Sequence, residues 1–160
     1  MHNTRNDLAA DVRGKVSELL NARLSDAVDL HLQAKQAHWN VKGPNFIALH
    51  ELFDKLAEES EEYIDDMAER ITALGGTAKG TAAVVAKTSQ LDAYPLDIVN
   101  GRDHVVALAG AVAKTGKAVR AAIEAAGSLG DADTSDLFTG VSRGLDKWLW
   151  LLEAHIQAER

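Results

Sequence analysis

The chain of 160 residues contains no cysteine, which removes both a disulfide framework and every thiolate metal site. Any bound cation must therefore be held by oxygen and imidazole, a donor set suited to iron, manganese or zinc. Proline occurs only at positions 44 and 95, so long helices elsewhere meet no break. Basic residues are outnumbered: 17 Lys and Arg stand against 24 Asp and Glu, giving a formal net charge of −7. That balance opposes sequence-independent binding to nucleic acid phosphates and favours cations as partners. No stretch approaches the roughly 18–20 apolar residues of a membrane-spanning helix. The opening MHNTRNDLAADVRGK places charges where a signal peptide needs an apolar run. The expectation is a soluble cytoplasmic protein with no membrane partner. Strand signals, internal repeats, low-complexity segments and domain linkers are absent as well.

What is present is helical periodicity over one domain-sized length. Residues 1–7 read as a short polar tail ending in an N-cap at Asn6 or Asp7, and residues 8–160 as one bundle domain. A first helix runs to about His38, with Val12, Val16, Leu19, Leu20, Ala27 and Leu30 on its apolar face. Gly43 and Pro44 make the turn into a second helix that reaches Leu74, where Gly75-Gly76 supplies a left-handed stop. Residues 77–99 form a long connection, with a short helix within TAAVVAKTSQL and a break at Tyr94-Pro95. A connection of this length lets the next helix start from the opposite end of the bundle, so the second and third long helices run parallel. Asn100 and Asp103 have capping-box spacing for that helix, which runs to about Ala126 before Gly127. The last helix runs from about Thr134 to the end, its stripe being Leu137, Val141, Leu145, Trp148, Leu152 and Ile156.

The second helix carries two faces. Phe46, Leu49, Phe53, Leu56, Tyr63, Met67 and Ile71 recur at spacings of three and four or their sum, the stripe a helix buries in its own domain. His50, Asp54, Asp65 and Glu69 fall in a separate arc of roughly 100°, centred about 140° from that stripe. A solvated acidic face is the plain alternative, and Glu58, Glu59, Glu61 and Glu62 are consistent with it. Against it, so dense a carboxylate cluster repels itself unless cations neutralise it.

Within the arc, His50–Asp54 and Asp65–Glu69 are i,i+4 pairs, each able to put two donors on one ion. Asp54 and Asp65 are eleven positions apart, about 16 Å along the axis. Metal–ligand bonds are only about 2.0–2.2 Å, so the two pairs cannot share an ion within one chain. An antiparallel second copy would complete both half-sites, and a two-fold dimer with two equivalent sites is the simplest arrangement. A centre inside a single bundle uses Glu-x-x-His motifs. None of the six histidines has a Glu three positions before it.

HWNVKGPNF at 38–46, a second His at position 50, the Asp four beyond it and DDMAER at 65–70 together resemble the family of DNA-binding proteins from starved cells (Dps), the miniferritins. The likeness extends through AYPLDI at 93–98 and LDKWLWLLE at 145–153. It implies an all-α, ferritin-like four-helix bundle with a short extra helix in the long connection, assembled into a hollow dodecamer. It also implies ferroxidase sites shared between subunits, with His38, His50 and Asp54 from one and Asp65 and Glu69 from the other. The implied function is oxidation of Fe(II), with hydrogen peroxide favoured over dioxygen, and storage of ferric mineral as protection against oxidative stress.

Two further groups take meaning from the same resemblance. Trp39 is placed near the iron site, and Asp131, Asp133 and Asp136 around a three-fold pore that admits iron. Without the resemblance, Trp39 is a packing residue and the three aspartates cap and complement a helix N-terminus. His31, seven residues before His38, reads as an interface or solvent residue outside the ligand pattern. DNA-binding relatives commonly carry a Lys-rich flexible tail. Here the N-terminal tail offers Arg5 and His2, and the chain stops at Glu159-Arg160, so the competing role of a DNA-compacting nucleoid protein lacks its usual device.

Overall fold

A computed structural model describes residues 1–158, and all of its regular structure among those residues is helical. The elements are α1 (Ala10–Asn40), α2 (Phe46–Ala73), α3 (Ala82–Thr88), α4 (Gly101–Ser128) and α5 (Ala132–Glu153). The four long helices form the bundle, α1 packing on α2 and α4 on α5, with α3 laid against α1. The chain trace fixes their directions. The backbone N–H of Lys42, just after α1, donates to the Val99 carbonyl just before α4, so α2 and α4 start at one end. Arg70 near the close of α2 meets Asp131 before α5 at the other end. The second and third long helices therefore run parallel, as the long connection demands.

The apolar stripes meet on one core, in which Leu20, Leu24, Leu30, Phe53, Met67, Leu108, Phe138 and Leu145 are fully buried. Truncating Phe53 or Phe138 to Ala would cost on the order of 3–5 kcal/mol. Phe46 departs from the expected stripe. It opens α2 beyond the reach of the other helices, is 38% exposed, and lies against the His50 ring. On α5, Ile156 falls in the turns after the helix, which stops at Glu153 rather than running to the chain end. Residues 159 and 160 lie outside the described residues.

Caps explain the boundaries. Asn100 does accept a hydrogen bond from Asp103 N, at 3.0 Å. At the start of α1 neither Asn6 nor Asp7 is the cap. Asn6 Oδ1 accepts from Leu8 N in a local turn, and the helix begins after Ala9 with no side-chain cap. Gly75, at φ +83°, ends α2 with Gly76 N donating to Ile71 O and Gly75 N to Thr72 O, the paired bonds of a Schellman stop. Gly130, at φ +84°, ends α4 in the same way, with Asp131 N to Ala126 O and Gly130 N to Gly127 O. Helix α4 thus passes through Gly127 and stops two residues later than its composition indicates. The long connection is fastened by polar groups of α1: Asp26 accepts from Gln90 N, and Gln33 donates to the Asp92 carbonyl.

Candidate metal centre

The turn between α1 and α2 folds His38 back over His50. His38 Nδ1 lies 2.8 Å from the His50 carbonyl oxygen, and His50 Nδ1 lies 2.8 Å from the His38 carbonyl oxygen. A carbonyl only accepts, so each Nδ1 carries the hydrogen and donates it. Both rings are thereby held in one tautomer with the Nε2 lone pair unused, the arrangement a metal-ligating imidazole requires. The rings stack with centroids 3.7 Å apart and planes 22° from parallel.

Asp54, one turn along α2, stands at the edge of this pair, with Oδ1 3.8 Å from His38 Nδ1. The same oxygen accepts from the Lys35 ammonium at 2.6 Å. The Lys35 hydrogen bond, with smaller help from its charge, holds the Asp54 carboxyl below its ordinary range despite partial burial. Lys35 is three residues before His38 on the same face of α1, yet ligand spacing alone does not reveal it, because lysine is no ligand at neutral pH. The Lys35 ammonium also sits 5.8 Å from the Trp39 ring centroid. Trp39 is 65% exposed, a large apolar surface beside the histidines.

Asp65 and Glu69 are exposed on the same helix, beyond the reach of this group. Among the described residues, no cluster of three or more His, Asp or Glu is arranged to hold an ion within one chain. The structure thus brings His38, His50 and Asp54 together and leaves Asp65 and Glu69 apart, the division that axial rise requires.

The remaining sequence candidates fall as follows. Asp131 is 2% exposed and accepts from the Arg70 guanidinium at 2.8 Å, from Thr134 N at 3.1 Å and from the Thr134 hydroxyl at 2.7 Å. It caps α5 and ties it to α2. Asp133, whose side chain is 85% exposed, and Asp136 face outward on the first turns of α5. His31 is half-buried and its Nδ1 lies 2.9 Å from the Ala57 carbonyl, a third imidazole bridging α1 to α2.

Comparison with known proteins places the fold and the family. The family model described as "Ferritin-like domain" matches residues 17–160. The DNA protection during starvation protein of Agrobacterium fabrum (strain C58 / ATCC 33970) is 46% identical over 156 residues, covering 98% of this chain and 96% of that protein. The protein of the same name from Mycolicibacterium smegmatis (strain ATCC 700084 / mc(2)155) is 36% identical over 149 residues, covering 89% and 78%. Among solved structures, the Mycobacterium smegmatis Dps tetragonal form superposes with a TM-score of 0.92 at 35% identity, covering 98% of this chain and 95% of that one. DpsA14 from Streptomyces coelicolor gives 0.92 at 36% identity, covering 98% and 92%. The bundle is that of a ferritin-like protein. Within that class, the chain belongs to the Dps family.

Proposed function

We propose that this protein oxidises Fe(II) at sites shared between two subunits and stores the ferric product inside a shell of about twelve chains. One observation carries the reading. Two stacked imidazoles spend both Nδ1 hydrogens on backbone carbonyls and keep both Nε2 lone pairs for a cation, beside a carboxylate. His38, His50 and Asp54 form one half-site, and Asp65 and Glu69 of a second, antiparallel copy supply the other. Two nitrogens and carboxylate oxygens form a mixed set that accepts Fe(II) and holds Fe(III) well. Iron is here the substrate, and all residues from 8 onward serve one bundle domain that presents it.

The residues divide the work. The two carbonyl bonds orient the histidines before any cation arrives, so little freedom is lost on binding. Asp54 is held in place by Lys35, and the incoming cation takes over the position the ammonium occupies. Asp133 and Asp136 line the iron entry route around a three-fold axis, with Asp131 behind them fixing the start of α5. Trp39 shields the site on its open side. Peroxide, which takes up two electrons, matches two Fe(II) ions giving one each, and its removal together with Fe(II) suppresses hydroxyl-radical formation. The setting for that chemistry is the cytoplasm.

Stopped-flow absorbance of Fe(II) oxidation tests the reading, comparing anaerobic protein given peroxide with aerobic protein given none. Fast oxidation with peroxide, lost in His50→Ala, is the expected result. Oxidation no faster than in protein-free buffer would overturn it.

A second reading follows from the names of the relatives, two of which are DNA protection during starvation proteins. Direct compaction of DNA needs clustered cationic surface, and the net charge of −7 works against it. Protection through removal of Fe(II) and peroxide needs no DNA contact, and is the form of protection proposed here.

A further inference from the structure

Three imidazoles bridge α1 and α2 in the same way, and the iron site uses two of them. His31 Nδ1 lies 2.9 Å from the Ala57 carbonyl oxygen, as His38 and His50 lie against carbonyls of their own. Its Nδ1 therefore carries the hydrogen and its Nε2 keeps a lone pair, the tautomer of a metal-ligating imidazole. His31 makes no other hydrogen bond or ion pair among the described residues. It stands seven positions, or two helical turns, before His38 and so shares its face of α1.

Helix register gives its neighbours. α1 and α2 are antiparallel, and Lys35 meets Asp54 at 2.6 Å. Four positions earlier on α1 and four later on α2, the same register sets His31 level with Glu58. Glu58 and Glu61 fall within the roughly 100° arc of α2 that carries His50, Asp54, Asp65 and Glu69. Both are exposed and without an ion-pair partner among the described residues, although Lys55 and Lys147 share a cleft with Glu58 on the α5 side. The pairing proposed for the iron sites puts His50 opposite Glu69 of the partner subunit and Asp54 opposite the partner's Asp65. Both pairs are centred between positions 59 and 60, where the two-fold axis passes. Glu58 and Glu61 are centred on the same point, so Glu58 of each chain faces the partner's Glu61. The two levels at which they meet are about 4.5 Å apart along the helices.

Resting on that shared-site pairing, we propose a second class of metal site on the two-fold axis. His31 and Glu58 of one chain and Glu61 of the partner subunit hold a divalent transition cation of the zinc or cobalt kind. One ion sits at each level, two per dimer, with one imidazole nitrogen and two carboxylates as protein ligands and a position left for water. The imidazole selects against calcium and magnesium, which take oxygen ligands. Charge points the same way. Assembly brings four carboxylates together around the axis, and like charges withdrawn from water are costly. Protonating the two His31 rings would neutralise half of that charge, whereas two divalent ions neutralise all of it. The ions stay in place and clasp the two subunits, so the axis site carries no oxidation step and leaves Fe(II) chemistry to His38, His50 and Asp54.

Co(II) is the probe, added anaerobically to assembled protein stripped with a chelator. Isothermal titration counts it, and its visible spectrum reports its ligands. A double variant, His50→Ala with Asp54→Ala, disables the iron half-sites and should still bind one Co(II) per chain. Adding His31→Ala or Glu61→Gln should weaken that remaining binding by about a hundredfold or more, since loss of a group that merely supports a ligand already costs about 10–100-fold. Native mass spectrometry shows that each variant remains dimeric or larger. His31→Ala alone should oxidise Fe(II) at the wild-type rate, yet lose the rise in thermal midpoint that Co(II) gives the double variant when placed in that background. An ion pair of His31 with glutamate and no metal predicts that the double variant binds no Co(II), which overturns the proposal. Co(II) binding that survives His31→Ala does so too, as does loss of Fe(II) oxidation in His31→Ala, which would make His31 part of the iron site. Normal Fe(II) oxidation in wild type, with no Co(II) on the double variant, overturns the axis site alone. Wild-type protein that neither binds Co(II) nor oxidises Fe(II) overturns the ferroxidase reading and the axis site with it.

Discussion

The Lys35 ammonium lies 2.6 Å from Asp54 Oδ1, so a carboxylate of the proposed half-site is paired with a cation of the protein's own. A divalent ion has to displace that ammonium. Both side chains are partly exposed, which limits the worth of the pair to the lower end of the ion-pair range. Lys35→Met should therefore tighten anaerobic binding of Zn(II), used as a redox-inert probe, by about two- to threefold, or roughly 0.5 kcal/mol. Isothermal titration measures it. Unchanged or weaker binding would mean that Asp54 is not a ligand.

Sharing of the site between subunits predicts complementation. Asp54→Ala damages both sites of a dimer, and so does Glu69→Ala. In a mixed dimer of the two, one site collects both defects and the other collects neither. Co-expressed variants should recover up to about half of the wild-type oxidation per mixed dimer, where each alone shows little. Native mass spectrometry establishes that mixed dimers form. Mixed dimers that oxidise iron no faster than either variant would place the whole site inside one chain.

Asp131 predicts a pH dependence at the far end of the bundle. Burial alone would raise its pKa, but hydrogen bonds from the Thr134 hydroxyl and backbone and the charge of Arg70 outweigh it and hold the carboxyl below its ordinary value of 3.8. A lowered folded-state pKa stabilises fully above the ordinary value, and the stabilisation fades as pH falls through the lowered one. At about pH 6, Asp131→Asn should cost on the order of 3 kcal/mol, since it leaves Arg70 unpaired beside a buried cap. The gap between variant and wild type should close as pH falls through the lowered value, below the ordinary 3.8. Urea midpoints across that range check it, and a gap independent of pH would refute the ionic role.

Assembly predicts a particle on the order of 200 kDa by light scattering, with twelve chains in tetrahedral arrangement. A stable monomer at micromolar concentration would remove the second half of every site.

For DNA, the acidic balance predicts little retardation of duplex in a gel shift at about 150 mM salt. Tight binding under those conditions would show a basic surface that the net charge conceals.

Helix order was legible from the apolar spacing along each helix, and the parallel run of α2 and α4 from the length of the connection between them. Phe46 was not, because exposure at the first turn of α2 is set by what the other helices fail to cover. The end of α4 was missed because Gly127 keeps helical angles while Gly130 turns left-handed, and composition treats the two alike. At the site, spacing gives His50 and Asp54 as neighbours but says nothing of His38 reaching the His50 carbonyl. Lys35 escaped because its role is to occupy a ligand rather than to be one. Asp131 looked like its exposed neighbours Asp133 and Asp136 until Arg70, sixty-one positions earlier, was folded against it.

The first residues are less free than their polarity implies. His2 N donates to the Gly75 carbonyl at 2.7 Å, and Arg13 reaches the Leu74 carbonyl at 2.9 Å, so the beginning of the chain is laced over the exit of α2. A side chain at position 75 would strike the His2 backbone at 2.6 Å. A segment fused ahead of Met1 therefore has a known tether point, the α2 corner near Arg70 and Asp131. Twenty Gly/Ser residues attached there would sweep a root-mean-square reach of about 25 Å from that corner. Where cargo can be displayed on this protein is set by one backbone hydrogen bond.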